Sequence, residues 1–283
     1  MHFSHSMQHI PRPFSADHGY EVRQFFAADG EEIQSFVAAV AGSSPYLKGL
    51  IEKEHQWLRG AFAQPDAAVE VELSNLKVTA ALDLMSALRR AKRRVALWTA
   101  LCDLAGIWAL EEVTAALSKF ADLACQMSLN HALKVQLQRG KIPRRKPETD
   151  PAKLGMFVLA MGKLGASELN YSSDIDLICF FDESYFASVD VFEARAGFIR
   201  ATKNMVSLLN DITAEGYVFR TDLRLRPDPS VTPVCMGVEA AEHYYGSRGR
   251  TWERSAFIKA RVIAGDLQAG ARFLQKMEPF VWR

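Results

Sequence analysis

No two of the four cysteines (Cys102, Cys125, Cys179 and Cys235) are spaced as C-x-x-C, so the sequence offers neither a zinc knuckle nor a redox dithiol. All four fall in apolar stretches and read as buried free thiols of a reducing compartment. The chain also lacks an excess of either charge. Its 34 Lys and Arg against 33 Asp and Glu leave a formal net charge of +1, which gives no global attraction to nucleic acid or an anionic membrane. No apolar run approaches the ~20 residues that span a bilayer. The opening "MHFSHSMQHIPRPFSADHG" has no apolar core of the kind a signal peptide carries, and the cytoplasm is the expected location. No internal repeat is visible. What is present is a globular composition, 49% hydrophobic and 24% charged over 283 residues, enough for one large or two modest domains without disulfide or structural metal.

Residues 1–30 carry His2, His5 and His9 beside Pro11 and Pro13, and a disordered tail is expected there rather than a metal site. Residues 31–150 read as a helical region. Leu84, Leu88, Ala91, Val95, Trp98 and Cys102 recur at steps of four and three, and Val113, Leu117, Phe120, Ala124 and Met127 repeat the pattern. Ser44-Pro45 is a cap residue followed by proline at the first helical position. The run "RRAKRR" (Arg89 to Arg94) lies inside the first of these helices and is expected to form a solvated face. Nucleic-acid binding through this run and through Lys141–Lys146 is the minor alternative; it would show as affinity falling steeply with salt.

Composition shifts at "RGKIPRRKPETDPAK" (Arg139 to Lys153), which marks a linker and the main boundary. Residues 151–283 then show a period of two. Strands are expected at Met156–Ala160, Asp174–Phe181 and Gly216–Pro227, with helices over Phe192–Leu209, Val238–Tyr245 and Trp252–Ile263. The fold class expected is α+β.

Two aspartates at the mouth of a buried strand carry the chemistry. In "SSDIDLICFF", Asp174 and Asp176 share one side of the chain about 7 Å apart. Burying two unpaired carboxylates side by side is costly unless one takes a proton or a divalent cation joins them. On the expected strand Gly216–Pro227, strand parity gathers Arg220, Asp222, Arg224 and Arg226 on one face. If that strand neighbours the first, Asp222 completes a three-carboxylate site and the arginines face a phosphorylated ligand. Upstream, Gly162, Lys163, Gly165, Ala166 and Ser167 form a small-residue turn able to bring N–H groups near a phosphate. It is not a Walker motif, because Leu164 stands where Ser or Thr is required.

"LGASELNYSSDIDLI" (Leu164–Ile178) resembles the signature of DNA polymerase β-type nucleotidyltransferases. Together with "FRTDLRLRPDPSVTP", "YYGSRGRTWERSAFIKARVIAGD", "SSPYLKGLIEKEHQWL" and "LCDLAGIWALEEVTAALSKFADLAC", it is similar to the glutamine synthetase adenylyltransferase family from about Phe36 onward. The resemblance implies a helical N-terminal region followed by a polymerase β-like domain with a mixed sheet and flanking helices. It implies Mg²⁺ or Mn²⁺ on Asp174, Asp176 and Asp222. It implies nucleotide and phosphate contacts from Lys163, Gly165, Ala166, Ser167, Arg220 and Arg224. Ala166 stands where the family usually has Gly or Ser, and offers only its N–H.

Family members are longer chains with two catalytic halves. This chain is nearer the N-terminal half, which removes AMP from a tyrosine of glutamine synthetase by phosphorolysis and releases ADP. "WERSAFIKAR" supports that choice, and the stop at "PFVWR" implies a fragment. The expected partners are adenylylated glutamine synthetase, ADP or ATP, inorganic phosphate and the PII signalling protein. The alternatives are AMP attachment from ATP, or a non-catalytic module binding glutamine synthetase or PII.

Overall fold

The structure, a computed structural model, describes residues 3–79, 81–143 and 150–282. His2, and residues 144–149 of the expected linker, lie outside the described residues. The chain divides into two compact units, 1–120 and 121–283, and the division falls within a long helix rather than at the compositional boundary of residues 139–153.

The first unit holds helices α1 (Phe3–Ser6), α2 (Ala16–Arg23), α3 (Glu31–Ser43), α4 (Pro45–Ala63), α5 (Ala68–Lys77), α6 (Leu84–Leu104) and the start of α7 (Leu110–Gln138). Ser44 caps α4 through the Leu47 N–H at 3.3 Å, with Pro45 at its first position. The expected tail is structured instead. Phe3 is buried with its ring 4.9 Å from Phe62, 5.2 Å from Trp98 and 5.7 Å from Phe36, so the N-terminus contributes an aromatic to the core. Phe14 and Ser15 donate their N–H groups to the Gly42 carbonyl at 3.0 and 2.9 Å, which ties the intervening strand of chain to α3.

The basic run on α6 departs from a solvated face. Arg89 is buried, while Arg93 and Arg94 hold the buried Glu54 of α4 at 2.9 and 2.8 Å. Arg94 also reaches buried Glu72 of α5 at 3.1 Å. The cations point inward because two acidic side chains on facing helices would otherwise be buried without a partner. Among the described residues, no helix is long and apolar enough to cross a membrane.

The second unit is α+β, built on strands β1 (Met156–Ala160), β2 (Ile175–Phe181), β3 (Thr221–Asp222), β4 (Cys235–Gly237) and β5 (Arg261–Gly265). The order is β3-β2-β1-β5, with β4 also on β2. β1 runs antiparallel to β2 and β5; β3 and β4 run parallel to β2, at its start and its end respectively. Helices α8 (Gly162–Gly165), α9 (Val191–Asn210), α10 (Val238–Arg248), α11 (Thr251–Phe257) and α12 (Leu267–Val281) complete the unit. One sheet face packs Phe157, Leu159, Ile178 and Phe180 against Tyr245, Phe257, Phe273 and Phe280. On the other, Phe181 meets Phe198 of α9 with ring centroids 5.1 Å apart. β2 is covered on both faces, hence its continuous apolar run. Its Cys179 is a buried thiol with its pKa pushed up to about 12 by burial, and all four cysteines are free.

Two expected elements change. The strand Gly216–Pro227 pairs only at Thr221–Asp222. The Asp222 carboxylate accepts the Arg224 N–H two residues on, at 2.8 Å, and this local bond curls the chain out of the sheet. Arg226 then donates to the carbonyls of Leu223, Pro229 and Thr232 at 2.7, 2.8 and 3.2 Å, so it fastens a loop instead of joining the polar face. The helix expected over Trp252–Ile263 ends at Phe257, and Arg261–Gly265 become an edge strand.

Candidate active site

The parallel pairing of β2 and β3 sets Asp176 directly opposite Asp222. Neighbouring strands lie about 4.8 Å apart, so like charges in opposed positions repel and cost stability. The same offset of 46 residues sets Arg220 opposite Asp174, and their side chains meet at 2.5 Å. The Ile175 N–H donates to the Arg220 carbonyl at 2.9 Å and locks this register. Arg224 turns back onto Asp222, with Nε 2.9 Å and Nη2 2.5 Å from Oδ2.

Asp174, Asp176, Asp222, Arg220 and Arg224 therefore lie together at the start of β2. Asp176 is the exception among the carboxylates: no hydrogen bond or ion pair to its side chain is present among the described residues. Burial, then Asp222 and Asp174, raise its pKa, against which Arg224 acts only weakly. Asp222 is shifted down, chiefly by its hydrogen bond from Arg224.

The turn after β1 explains how Asp176 is seated. Gly162 has φ +56°, and a Cβ there would stand 3.1 Å from Asp176 Oδ2. The Met161 N–H donates to the Asp176 carbonyl at 2.9 Å. The N–H groups expected to face phosphate are used inside the turn: Gly165 donates to Met161, Ala166 to Gly162 and Ser167 to Leu164, at 3.0, 3.2 and 3.0 Å. Lys163 donates to Asn170 Oδ1 at 3.3 Å. Gly165 is demanded by packing, since a Cβ would fall 2.0 Å from the Lys259 carbonyl oxygen and 2.7 Å from that of Ala160. Gly165→Ala is expected to cost ~1–3 kcal/mol by overpacking two backbones, read from the midpoint of urea unfolding.

The support beneath this turn is a long-range pair that no local pattern in the sequence marks. Arg261, the first residue of β5, donates to the carbonyls of Leu164 and Gly165 at 2.9 and 3.3 Å. Asp122 of α7 grips the same guanidinium at 2.6 and 3.0 Å. Burial raises the Asp122 pKa, and Arg261 opposes that shift. The only signal available was Arg261 itself in "WERSAFIKAR", because its partner lies 139 residues away.

The donor set is made entirely of carboxylate oxygens, with one charge left uncompensated, and it suits a hard divalent cation. Among the described residues no group of three or more His, Cys, Asp or Glu is arranged so that it could hold a metal ion as it stands. Two of the three aspartates are turned toward guanidinium groups instead.

A family model for glutamate-ammonia ligase adenylyltransferase matches residues 34–276, which reaches into both units and includes every residue of this site. The chain belongs to that family. It is 47% identical over 256 residues to a protein of Bradyrhizobium sp. (strain ORS 278), covering 88% of this chain and 26% of the relative. A protein of Rhizobium meliloti (strain 1021) is 49% identical over 201 residues, covering 71% and 20%. One from Agrobacterium fabrum (strain C58 / ATCC 33970) is 40% identical over 261 residues, covering 89% and 26%. Each is named a bifunctional glutamine synthetase adenylyltransferase/adenylyl-removing enzyme. The chain thus spans no more than 26% of the length of these relatives.

Proposed function

We propose that the chain is a nucleotidyltransferase unit that removes AMP from the adenylylated tyrosine of glutamine synthetase, using inorganic phosphate and releasing ADP. The observation that carries this reading is the placement of Asp174, Asp176 and Asp222 at one end of two adjacent parallel strands, with Arg220 and Arg224 beside them. Opposed like charges are a liability that a fold keeps where the charge is used. Membership of a family whose relatives are named for adenylyl transfer and removal supports the same chemistry.

In this reading an oxygen of inorganic phosphate attacks the phosphorus of the AMP group. The bond from phosphorus to the tyrosine oxygen breaks, the phenol takes up a proton, and ADP departs. Asp174, Asp176 and Asp222 would hold Mg²⁺, or Mn²⁺ in its place, and the bound cation would neutralise charge on the phosphoryl oxygens. Asp176, the unpaired carboxylate, anchors the site between the strands. Arg220 and Arg224 supply positive charge to the non-bridging oxygens, with Lys163 at the edge. Gly165, Ala166 and Ser167 shape the turn that seats Asp176 rather than offering their N–H groups. Arg261 and Asp122 hold that turn from beneath.

The relatives' names carry both directions of the reaction, so AMP attachment from ATP is the second reading. The products separate the two. With Mg²⁺, the chain should form ADP from adenylylated glutamine synthetase and phosphate. Pyrophosphate from ATP and unmodified synthetase, without ADP in the first assay, would assign the attaching direction.

A further inference from the structure

Arg220 takes one oxygen of Asp174, and Arg224 takes both oxygens of Asp222. Arg220 Nε stands 2.5 Å from Asp174 Oδ1, and Arg220 also touches the Ser172 carbonyl at 3.4 Å. Arg224 forks onto both oxygens of Asp222. Neither guanidinium is buried: the two side chains are 62% and 83% exposed. Ion pairs between solvated side chains are weak and readily exchanged. Arg226, by contrast, is fastened to three loop carbonyls and is not free to move in this way. Lys163 is held by Asn170 and touches no carboxylate.

We propose that Arg220 and Arg224 are exchangeable counter-ions, resting on Asp174 and Asp222 until a divalent cation displaces them toward the phosphoryl group of the nucleotide. The inference rests on the reading of the three aspartates as a cation site. Its physical content is a competition. A carboxylate oxygen already held by a guanidinium is less open to a divalent cation, and a displaced guanidinium has a strong new partner in a phosphate. Cation and nucleotide therefore strengthen each other's binding, and linkage makes the effect equal in both directions. In the resting chain these pairs occupy Asp174 and Asp222, while Asp176 has no hydrogen bond or ion pair among the described residues.

The probe is Mn²⁺, titrated into the 283-residue chain with and without ADP and followed by the electron paramagnetic resonance of the free ion. Wild type is expected to bind Mn²⁺ about tenfold more tightly with ADP present, within the usual span of coupled sites. Arg220→Gln and Arg224→Gln should each bind Mn²⁺ more tightly than wild type in the absence of ADP. Both should lose most of the gain that ADP confers, and both should bind ADP more weakly. Lys259→Gln, which removes an exposed charge paired with Glu168 and not with a site aspartate, should leave the ADP-free Mn²⁺ affinity unchanged. The proposal is overturned if the two arginine variants bind Mn²⁺ no more tightly than wild type. It is overturned equally if Lys259→Gln tightens binding as much as they do, because charge alone would then account for the result. Asp176→Asn separates this outcome from failure of the site itself: Mn²⁺ binding that survives in that variant refutes the cation site on which the exchange depends.

Discussion

Asp176→Asn is expected to abolish activity while the variant melts no lower, and by the present account higher, than wild type at neutral pH. The two effects have one cause. The Asp176 carboxylate is partly buried and faces Asp222 and Asp174, and all three conditions raise its pKa. An aspartate whose pKa is raised by folding penalises the fold at pH above the raised value, and the penalty disappears as pH falls through it. Asparagine removes the charge and keeps the shape, so the neutral-pH penalty is relieved. The catalytic loss should be at least ~10³-fold, because charge stabilisation by a cation at such a site is worth several kcal/mol and each ~1.4 kcal/mol is tenfold in rate. Thermal unfolding and the rate of AMP removal, measured on one preparation, read both. A variant that loses activity and stability together would mark Asp176 as a structural residue.

Glu54→Ala should destabilise the helical unit by ~3–5 kcal/mol, the usual cost of removing one partner from a buried ion pair. Glu54 is 5% exposed and is shared by Arg93 and Arg94, and Arg94 is itself split between Glu54 and Glu72. Removing the shared carboxylate leaves two guanidiniums close together inside the unit. Arg94 also lies over the Trp57 ring at 5.5 Å, so its displacement would disturb an aromatic contact as well. Chemical unfolding followed by tryptophan fluorescence tests this, since Trp57 and Trp98 belong to the same unit. As a contrast, Glu70→Ala removes an exposed partner of the exposed Lys119 and should change the midpoint little. Equal effects from the two variants would show that the basic run is a surface feature after all.

The parts that were legible in the sequence depend on local rules. Ser44-Pro45 announces the start of α4 because a cap and its proline are neighbours in the chain. The apolar run Ile175–Phe181 announces a strand buried on both faces, and the parity of Asp174 and Asp176 follows from the strand's period of two. Even the pairing with Asp222 could be anticipated, because it requires only that two strands be adjacent.

What could not be read depends on side chains reaching across the fold. The strand through Asp222 is short because its own carboxylate captures the Arg224 N–H, a competition that alternation of residue types does not reveal. β5 was hidden inside a helical pattern: "RVIAG" is too short to show its own period. The inward turn of Arg93 and Arg94 reflects Glu54 and Glu72 on other helices. Gly165 reads as a phosphate-binding residue from its small size and from the family resemblance. Its size in fact admits the Lys259 carbonyl, which only the three-dimensional path of the chain brings there.

The most direct measurement is phosphate-dependent release of ADP from adenylylated glutamine synthetase in the presence of Mg²⁺, comparing the 283-residue chain with its Asp174→Asn/Asp176→Asn variant. ADP is expected from the wild-type chain and none above background from the variant. Equal release of ADP by both would contradict the assignment of the site.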